Sequence, residues 1–535
     1  MRQRLPTLAV VLFMLALTAV GLFTAQDYGM PIDEPAEQTI LRENLNEYAL
    51  TFWGEDRADL RLWDGQDAGR ISQSAERDHG QSAYYLAAPL LTLSKTAPDR
   101  LMTLWHQYTW LWFMVGVLSL YGLMRGLGLG RTLACATALL LYLSPRFFAE
   151  GHYNNKDIVL LSLTLATLAS GAWVMKRLTF PRALLFSLAG AMATNTKIVG
   201  VFAWGLCGLA MLWRLASTRS FHKRSVSIAV CAVVAYVAFY ALLTPALWAD
   251  PPGYLRYVLG NASSFSRWTG VVLFRGEIYN PTRGLPLPRS YLPVTVLLTL
   301  PVAYLLLAAI GQGKALWQCL RGDANTPMLC TLTLLWLVPC AYVVLARPLL
   351  YNGWRHFYFI YAGIAAMGGL GLQAIATALR RRRTLKTIAA VVLSGLFAFQ
   401  AWGIASNHPY QFSYYNPLAG KVAEAYELDY WEVSAVNAMR MLNQTESKAG
   451  VFPILIGARD EMSRFGLENS YGRLSASERS TLAFTKDQNA PYLYANATYA
   501  TLYQAPAPEG YETLFTLESY GNSICTVYRR LDSAP

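Results

Sequence analysis

The chain has 535 residues, of which 54% are hydrophobic, 13% aromatic and only 15% charged, with a formal net charge of +12. Soluble domains carry roughly 25% charged residues, so this composition excludes a soluble globule. It also argues against nucleic-acid binding, because the basic residues fall in small separated loops and form no continuous patch.

The apolar residues gather in runs of about 18 to 25, enough to cross roughly 30 Å of hydrocarbon as helix. Such runs are predicted helical because lipid offers backbone N–H and C=O groups no partner. The first run, residues 5–25, follows Arg2 and Arg4. It is long for a signal-peptide core, and Gly29-Met30-Pro31 makes a poor cleavage site, so it is read as a retained helix. Further runs lie near 101–124, 131–145, 157–175, 182–195, 198–215, 226–248, 291–310, 327–346, 356–378 and 385–405. The short run at 182–195 ends in Thr194-Asn195-Thr196-Lys197 and is predicted to turn back as a hairpin. The expected fold is a polytopic α-helical membrane protein of about eleven transmembrane helices, residues 1–405, with a small external α/β domain at 406–535.

Alternate loops collect the basic residues, from Arg125 and Arg131 through Lys176, Arg177, Lys223 and Arg224 to Arg380–Arg383 and Lys386. The positive-inside rule places these loops and the N-terminus in the cytoplasm. The acid-rich stretch from Asp27 to Asp99 and the C-terminal domain then lie outside. Within the first external loop, residues 83–93 are apolar but short and are expected to lie on the membrane surface. In the tail, an amphipathic stretch at 428–442 precedes alternating runs at 492–502 and 512–527, which predict helix and strands. Cys525 is the one cysteine of the tail, so that domain has no internal disulfide.

Three polar clusters fall on the external side. Pro31-Ile32-Asp33-Glu34-Pro35 places two carboxylates where the chain leaves the membrane, suited to deprotonating a hydroxyl. The same residues also fit a helix start, with Pro35 at a first position and Glu37 completing a capping pattern. Residues 144–157 crowd Arg146, Glu150, His152, Asn154, Asn155, Lys156 and Asp157 into one loop, costly at a membrane boundary unless the groups are used or paired. The bland alternative is a Lys156–Asp157 or Arg146–Glu150 pair. Trp354-Arg355-His356 opens a helix, where a guanidinium and free N–H groups suit a phosphate; interfacial anchoring by Trp354 and Tyr358 is the rival reading. Lys197 and Arg283 are further phosphate candidates, and His79 is a site residue or a solvated loop residue.

In order and sidedness, Asp33-Glu34 after the first helix, Asp157 in the next external loop and the Thr196-Lys197 hairpin resemble the GT-C glycosyltransferases. The likeness covers about residues 1–405. It is nearest protein O-mannosyltransferases and lipid A aminoarabinose transferases, through a bacterial branch sharing Asn154-Asn155-Lys156-Asp157, Trp354-Arg355-His356 and His408-Pro409-Tyr410-Gln411. The resemblance implies a GT-C-like core in a bacterial inner membrane, a polyprenyl-phosphate sugar donor and an envelope acceptor. It implies inverting transfer with Asp33 as base and Glu34 or Asp157 assisting. Lys156, Lys197, Arg355 and His356 would hold the donor phosphate. No cofactor is required, although a divalent metal bridging Asp33 and Asp157 is left open. A transporter or flippase fits the helix count equally well, but its polar residues belong near the bilayer midplane. A scaffold subunit would leave Asp33 and Asp157 dispensable.

The topology is testable. A periplasm-active reporter fused after the last residue should be active, and one active only in the cytoplasm should be silent; the reverse pattern puts Asp33 on the cytoplasmic side.

Overall fold

The computed structural model describes residues 5–54, 68–263, 270–350 and 352–533. Arg2 and Arg4, counted above among the basic residues, lie outside them. Each of the eleven apolar runs carries helix. In chain order the helices begin with α1 (Leu5–Thr24), α2 (Glu34–Trp53), α3 (Pro98–Gly126), α4 (Arg131–Tyr142), α5 (Pro145–Tyr153), α6 (Asp157–Lys176) and α7 (Phe180–Thr196). They continue with α8 (Gly200–Ser217), α9 (Lys223–Leu243), the short α10 (Ala246–Ala249) and α11 (Pro251–Ser263), then α12 (Tyr291–Thr299), α13 (Val302–Leu320), α14 (Thr326–Ala346), α15 (Tyr361–Ala378) and α16 (Arg383–Ser406). Among the described residues, seven helices are long and apolar enough to cross a membrane, and up to nine if each bent pair counts as one span.

One run expected to be continuous is broken, and another ends at a sharp bend. The run at 291–310 bends by 114° between α12 and α13, and the run at 131–145 ends at a 71° bend between α4 and α5. Proline sits at each break, Pro145 and Pro301. A proline has no N–H for the helix ladder, and its ring clashes with the carbonyl four residues back. The bend at Pro145 lets α5 turn across the end of the bundle as a buried helix, so the polar cluster at 144–157 is an ordered part of the core and not an open loop.

The first extramembrane segment is largely helical. α2 fills much of it, and Ser82–Leu93 forms a 3₁₀ helix with Tyr84, Ala87 and Leu91 buried and Leu86 exposed. The C-terminal domain holds α17 (Ser434–Lys448), α18 (Glu461–Tyr471), α19 (Ala476–Thr481) and α20 (Ala497–Leu502) around a sheet. After a small hairpin of β1 (Val272–Phe274) and β2 (Glu277–Tyr279), the sheet strands are β3 (Ile454–Ala458), β4 (Leu482–Phe484), β5 (Tyr492–Asn496), β6 (Tyr511–Ser519) and β7 (Asn522–Arg530). Their order is β4-β3-β5-β7-β6, with β3 parallel to β4 and β5, and β7 antiparallel to β5 and β6. The run at 492–502 is therefore half strand and half helix, because Asn496 accepts from the N–H groups of Thr498 and Tyr499 and starts α20. The domain's apolar core includes Met30 and Met102 from the membrane portion.

α13 and α15 cross at backbone contact. A Cβ on Gly311 would lie 1.7 Å from the Met367 carbonyl oxygen, and one on Gly371 2.0 Å from that of Leu307. Small residues permit this approach in membrane bundles. Gly311→Ala should therefore lower the unfolding temperature in detergent, at an overpacking cost of roughly 1–3 kcal/mol. Gly313→Ala in the same helix, where a Cβ meets nothing within 4 Å, should not.

Candidate active site

The ends of α6, α7, α8 and α14 meet the loop after α1 and the Arg355–Ile360 3₁₀ turn around one cavity of about 520 Å³. Asp33, Glu34, His79, Asn154, Asn155, Lys156, Asp157, Lys197, Arg355 and His356 all line it. Arg283 does not; it is exposed on the 3₁₀ turn Pro281–Arg283.

Asp33 occupies the position just before α2, yet its carboxylate makes no capping hydrogen bond. It instead accepts from Arg355 Nη1 at 2.8 Å. The capping explanation for Asp33 thus fails, although Pro35 stands in the first turn as that explanation required. Interfacial anchoring by Trp354 and Tyr358 fails as well, because both pack inside against Phe147.

The other charges are paired across elements. Glu37 of α2 binds Lys156 and Gln81, and Lys197, at the end of α7, binds Asp157 at the start of α6. Neither pair expected within the 144–157 cluster forms. Lys156 and Asp157 take other partners, and Arg146 stacks on Phe412 at 4.3 Å. Burial by itself would lower the Lys156 ammonium, but Glu37 beside it outweighs that and holds it above its usual value. Burial lowers Lys197, and Asp157 only partly restores it. Asp33 and Asp157 each hold a separate cation, Arg355 and Lys197. Among the described residues, Glu76, Asp78 and His79 have ligand atoms within 4.8 Å of one another, but His79 Nδ1 is already 2.7 Å from Glu76.

Exposure separates the carboxylates. The Asp33 side chain is 43% exposed, against 1% for Glu34, 4% for Glu37 and 2% for Asp157. Glu34 lies 3.0 Å from His106 Nε2, accepts from Gln38 at 3.0 Å and sits 3.6 Å from Arg473. It ties α2 to α3 and to the C-terminal domain. Asn154 is a local brace, its Oδ1 accepting from the N–H of Asp157 at 2.8 Å. Asn155 is buried at the wall with an amide nitrogen that has no hydrogen-bond partner among the described residues.

Sequence reasoning missed Glu37 as a cation partner, although its spacing from Asp33 and Glu34 puts all three near one another on a helix. It also missed Tyr430 and Trp431, which enter from the tail. Trp431 lines the cavity and donates from Nε1 to Glu150 at 2.8 Å. The opposite wall is apolar: Val201 and Phe202 of α8, Val338, Pro339 and Tyr342 of α14, and Leu349, Leu350 and Phe357 beyond it.

Residues 94–252 match the family described as dolichyl-phosphate-mannose-protein mannosyltransferase. That segment supplies Lys156, Asp157 and Lys197, and the match bears out the resemblance read from the motifs. Similar solved structures include ArnT from Cupriavidus metallidurans bound to undecaprenyl phosphate, 14% identical with a TM-score of 0.45 over 97% of this chain and 98% of that one. The Archaeoglobus fulgidus oligosaccharyltransferase in its apo form is 11% identical, with a TM-score of 0.44 over 95% of this chain and 74% of that one. The arabinofuranosyltransferase AftD from Mycobacteria is 13% identical, with a TM-score of 0.43 over 97% of this chain and 40% of that one. No curated protein sequence matches the chain.

Behind the cavity, Glu427, Asp429 and Glu432 are buried in the segment leading into α17. Burial raises all three, Glu427 to about 7 and Asp429 to about 6. The folded chain therefore holds protons that the unfolded chain releases, so this contribution is full below the ordinary carboxylate range and is lost as pH rises through about 6 to 7. Unfolding temperature should fall across that window. Glu427→Gln keeps the oxygen that accepts from Asn352 and the Leu273 N–H, and should flatten the profile. An equally steep profile in this variant would assign the slope elsewhere.

Proposed function

We propose that the chain is a membrane glycosyltransferase that moves a sugar from a polyprenyl-phosphate donor to a hydroxyl of an envelope acceptor. Transfer takes place at the outer face of a bacterial inner membrane, with the N-terminus cytoplasmic and the C-terminal domain periplasmic. The observation that carries this reading is the two-sided cavity, apolar on the α8–α14 wall and lined opposite by Lys156, Lys197, Arg355 and Asp33. An isoprenoid chain suits the first wall and its phosphate the second. The match to a family described by a lipid-phosphate mannose donor supports it. The polar groups sit at helix ends, whereas transport sites lie near the midplane, which favours transfer over transport.

Each cation is neutralised by a carboxylate in the structure. In the proposed cycle the donor phosphate draws Arg355, Lys156 and Lys197 toward itself, and Arg355 releases Asp33. Asp33, the exposed carboxylate, then takes the proton of the acceptor hydroxyl. The acceptor oxygen bonds to the anomeric carbon as the carbon–oxygen bond to phosphate breaks, and the polyprenyl phosphate departs with the electron pair. One displacement inverts the anomeric centre. The growing phosphate charge meets fixed cations in a cleft of low dielectric, where such stabilisation is strongest. His356 borders the same wall and orients the phosphate in this reading.

Asp33→Asn keeps size and hydrogen bonding but removes the base. Turnover should fall by roughly 10²- to 10⁴-fold with donor binding not weakened. Transfer at the wild-type rate, at equal protein level in membranes, would leave the assignment without support.

A further inference from the structure

The pair formed by Asp33 and Arg355 is built from residues 322 positions apart. Neither half is held only by its own element. The N–H of Ile32 donates to the carbonyl of Trp431 at 3.1 Å, pinning the backbone next to Asp33. Gly29 lies so close to the same segment that a Cβ would fall 2.1 Å from the Val433 carbonyl oxygen. On the other side, Arg355 Nη2 donates to the Tyr430 hydroxyl at 3.0 Å. Its guanidinium carbon lies 4.6 Å from the centre of the Trp431 ring and 5.1 Å from that of Tyr430.

Tyr430 and Trp431 are themselves fixed. The Trp431 indole donates to Glu150 of α5, and the Tyr430 carbonyl accepts from the Tyr499 hydroxyl at 2.9 Å. Leu428 and Asp429, just before them, donate their N–H groups to Thr498. The dipeptide Tyr430-Trp431 thus spans from α20 of the C-terminal domain to Arg355 and to the backbone beside Asp33.

We infer that Tyr430 and Trp431 are positioning residues for Arg355, and that through them the C-terminal domain sets the donor-phosphate site. Guanidinium stacked on an aromatic face keeps its N–H edges free for an anion, and the hydroxyl bond fixes the rotation of the fork. The arrangement leaves Nη1 as the arm that moves from Asp33 to phosphate. This rests on the transferase reading above.

The test is a double-mutant cycle read by binding of undecaprenyl phosphate to the full chain in nanodiscs, alongside transfer kinetics. Tyr430→Phe, which keeps the ring and removes only the hydroxyl, should weaken binding by about 3- to 10-fold, the range of one hydrogen bond, at an unchanged unfolding temperature. Trp431→Phe should weaken it comparably. In an Arg355→Ala background neither change should weaken binding further, because both act through the missing guanidinium. Equal losses in the two backgrounds, or wild-type affinity in Tyr430→Phe while Arg355→Ala binds weakly, would overturn the positioning role alone. Failure of the wild-type chain to bind undecaprenyl phosphate would overturn the donor reading itself.

Discussion

Burying charge at the end of an apolar helix bundle is costly unless it is matched, and that constraint organises the cavity wall. An unpaired ion in such surroundings costs several kcal/mol. The wall therefore carries its cations and carboxylates as partners drawn from different elements: α2 with the loop before α6, α7 with α6, and the turn before α15 with the loop after α1. Each pair also joins two segments that are distant in the chain. The same contacts that neutralise the site thus fix its shape.

A resting site made of matched pairs answers a difficulty for any protein that must receive an anion from a membrane. Free lysines and arginines would hold inorganic phosphate or headgroups indiscriminately. On the proposed reading, cations already occupied by carboxylates present a site of modest potential that yields only to a ligand offering more than charge. On that reading the apolar wall along α8 and α14 would supply the extra term through buried hydrocarbon area. Unequal exposure gives the carboxylates different tasks: Glu34 and Glu37 stay as struts, and Asp33 is left facing the cavity.

Much of this was legible in the sequence, and the misses have physical causes. Long apolar runs announce helices because lipid permits little else, so all eleven runs proved helical. The break at Leu300-Pro301 was hidden because hydrophobicity continues through it, whereas the bend at Ser144-Pro145 falls where the apolar run ends. Asp33, Lys156, Asp157, Lys197 and Arg355 stood out as polar groups where polarity is expensive. Arg283 stood out by residue type alone, and it lies on an exposed turn that does not line the cavity. Glu37 was absorbed into a helix-start pattern, since one residue can satisfy a local motif and a distant partner together. Tyr430 and Trp431 were invisible as site residues because aromatic groups in a polar tail read as ordinary core, and their role depends on contacts across some 75 to 400 positions that no local pattern records.

The core of the C-terminal domain is completed by Met30 and Met102, which belong to the chain on the membrane side. This sharing limits how such proteins can evolve by exchanging parts. A tail transplanted from a relative would arrive with two holes in its interior, and a membrane portion that lost its tail would show two bare methionines to water. Recombination that respects the unit must carry the tail together with the first extramembrane segment and the start of α3. The boundary that matters to inheritance therefore runs between the inner helices and everything at the cavity end, cutting across the linear order of the chain.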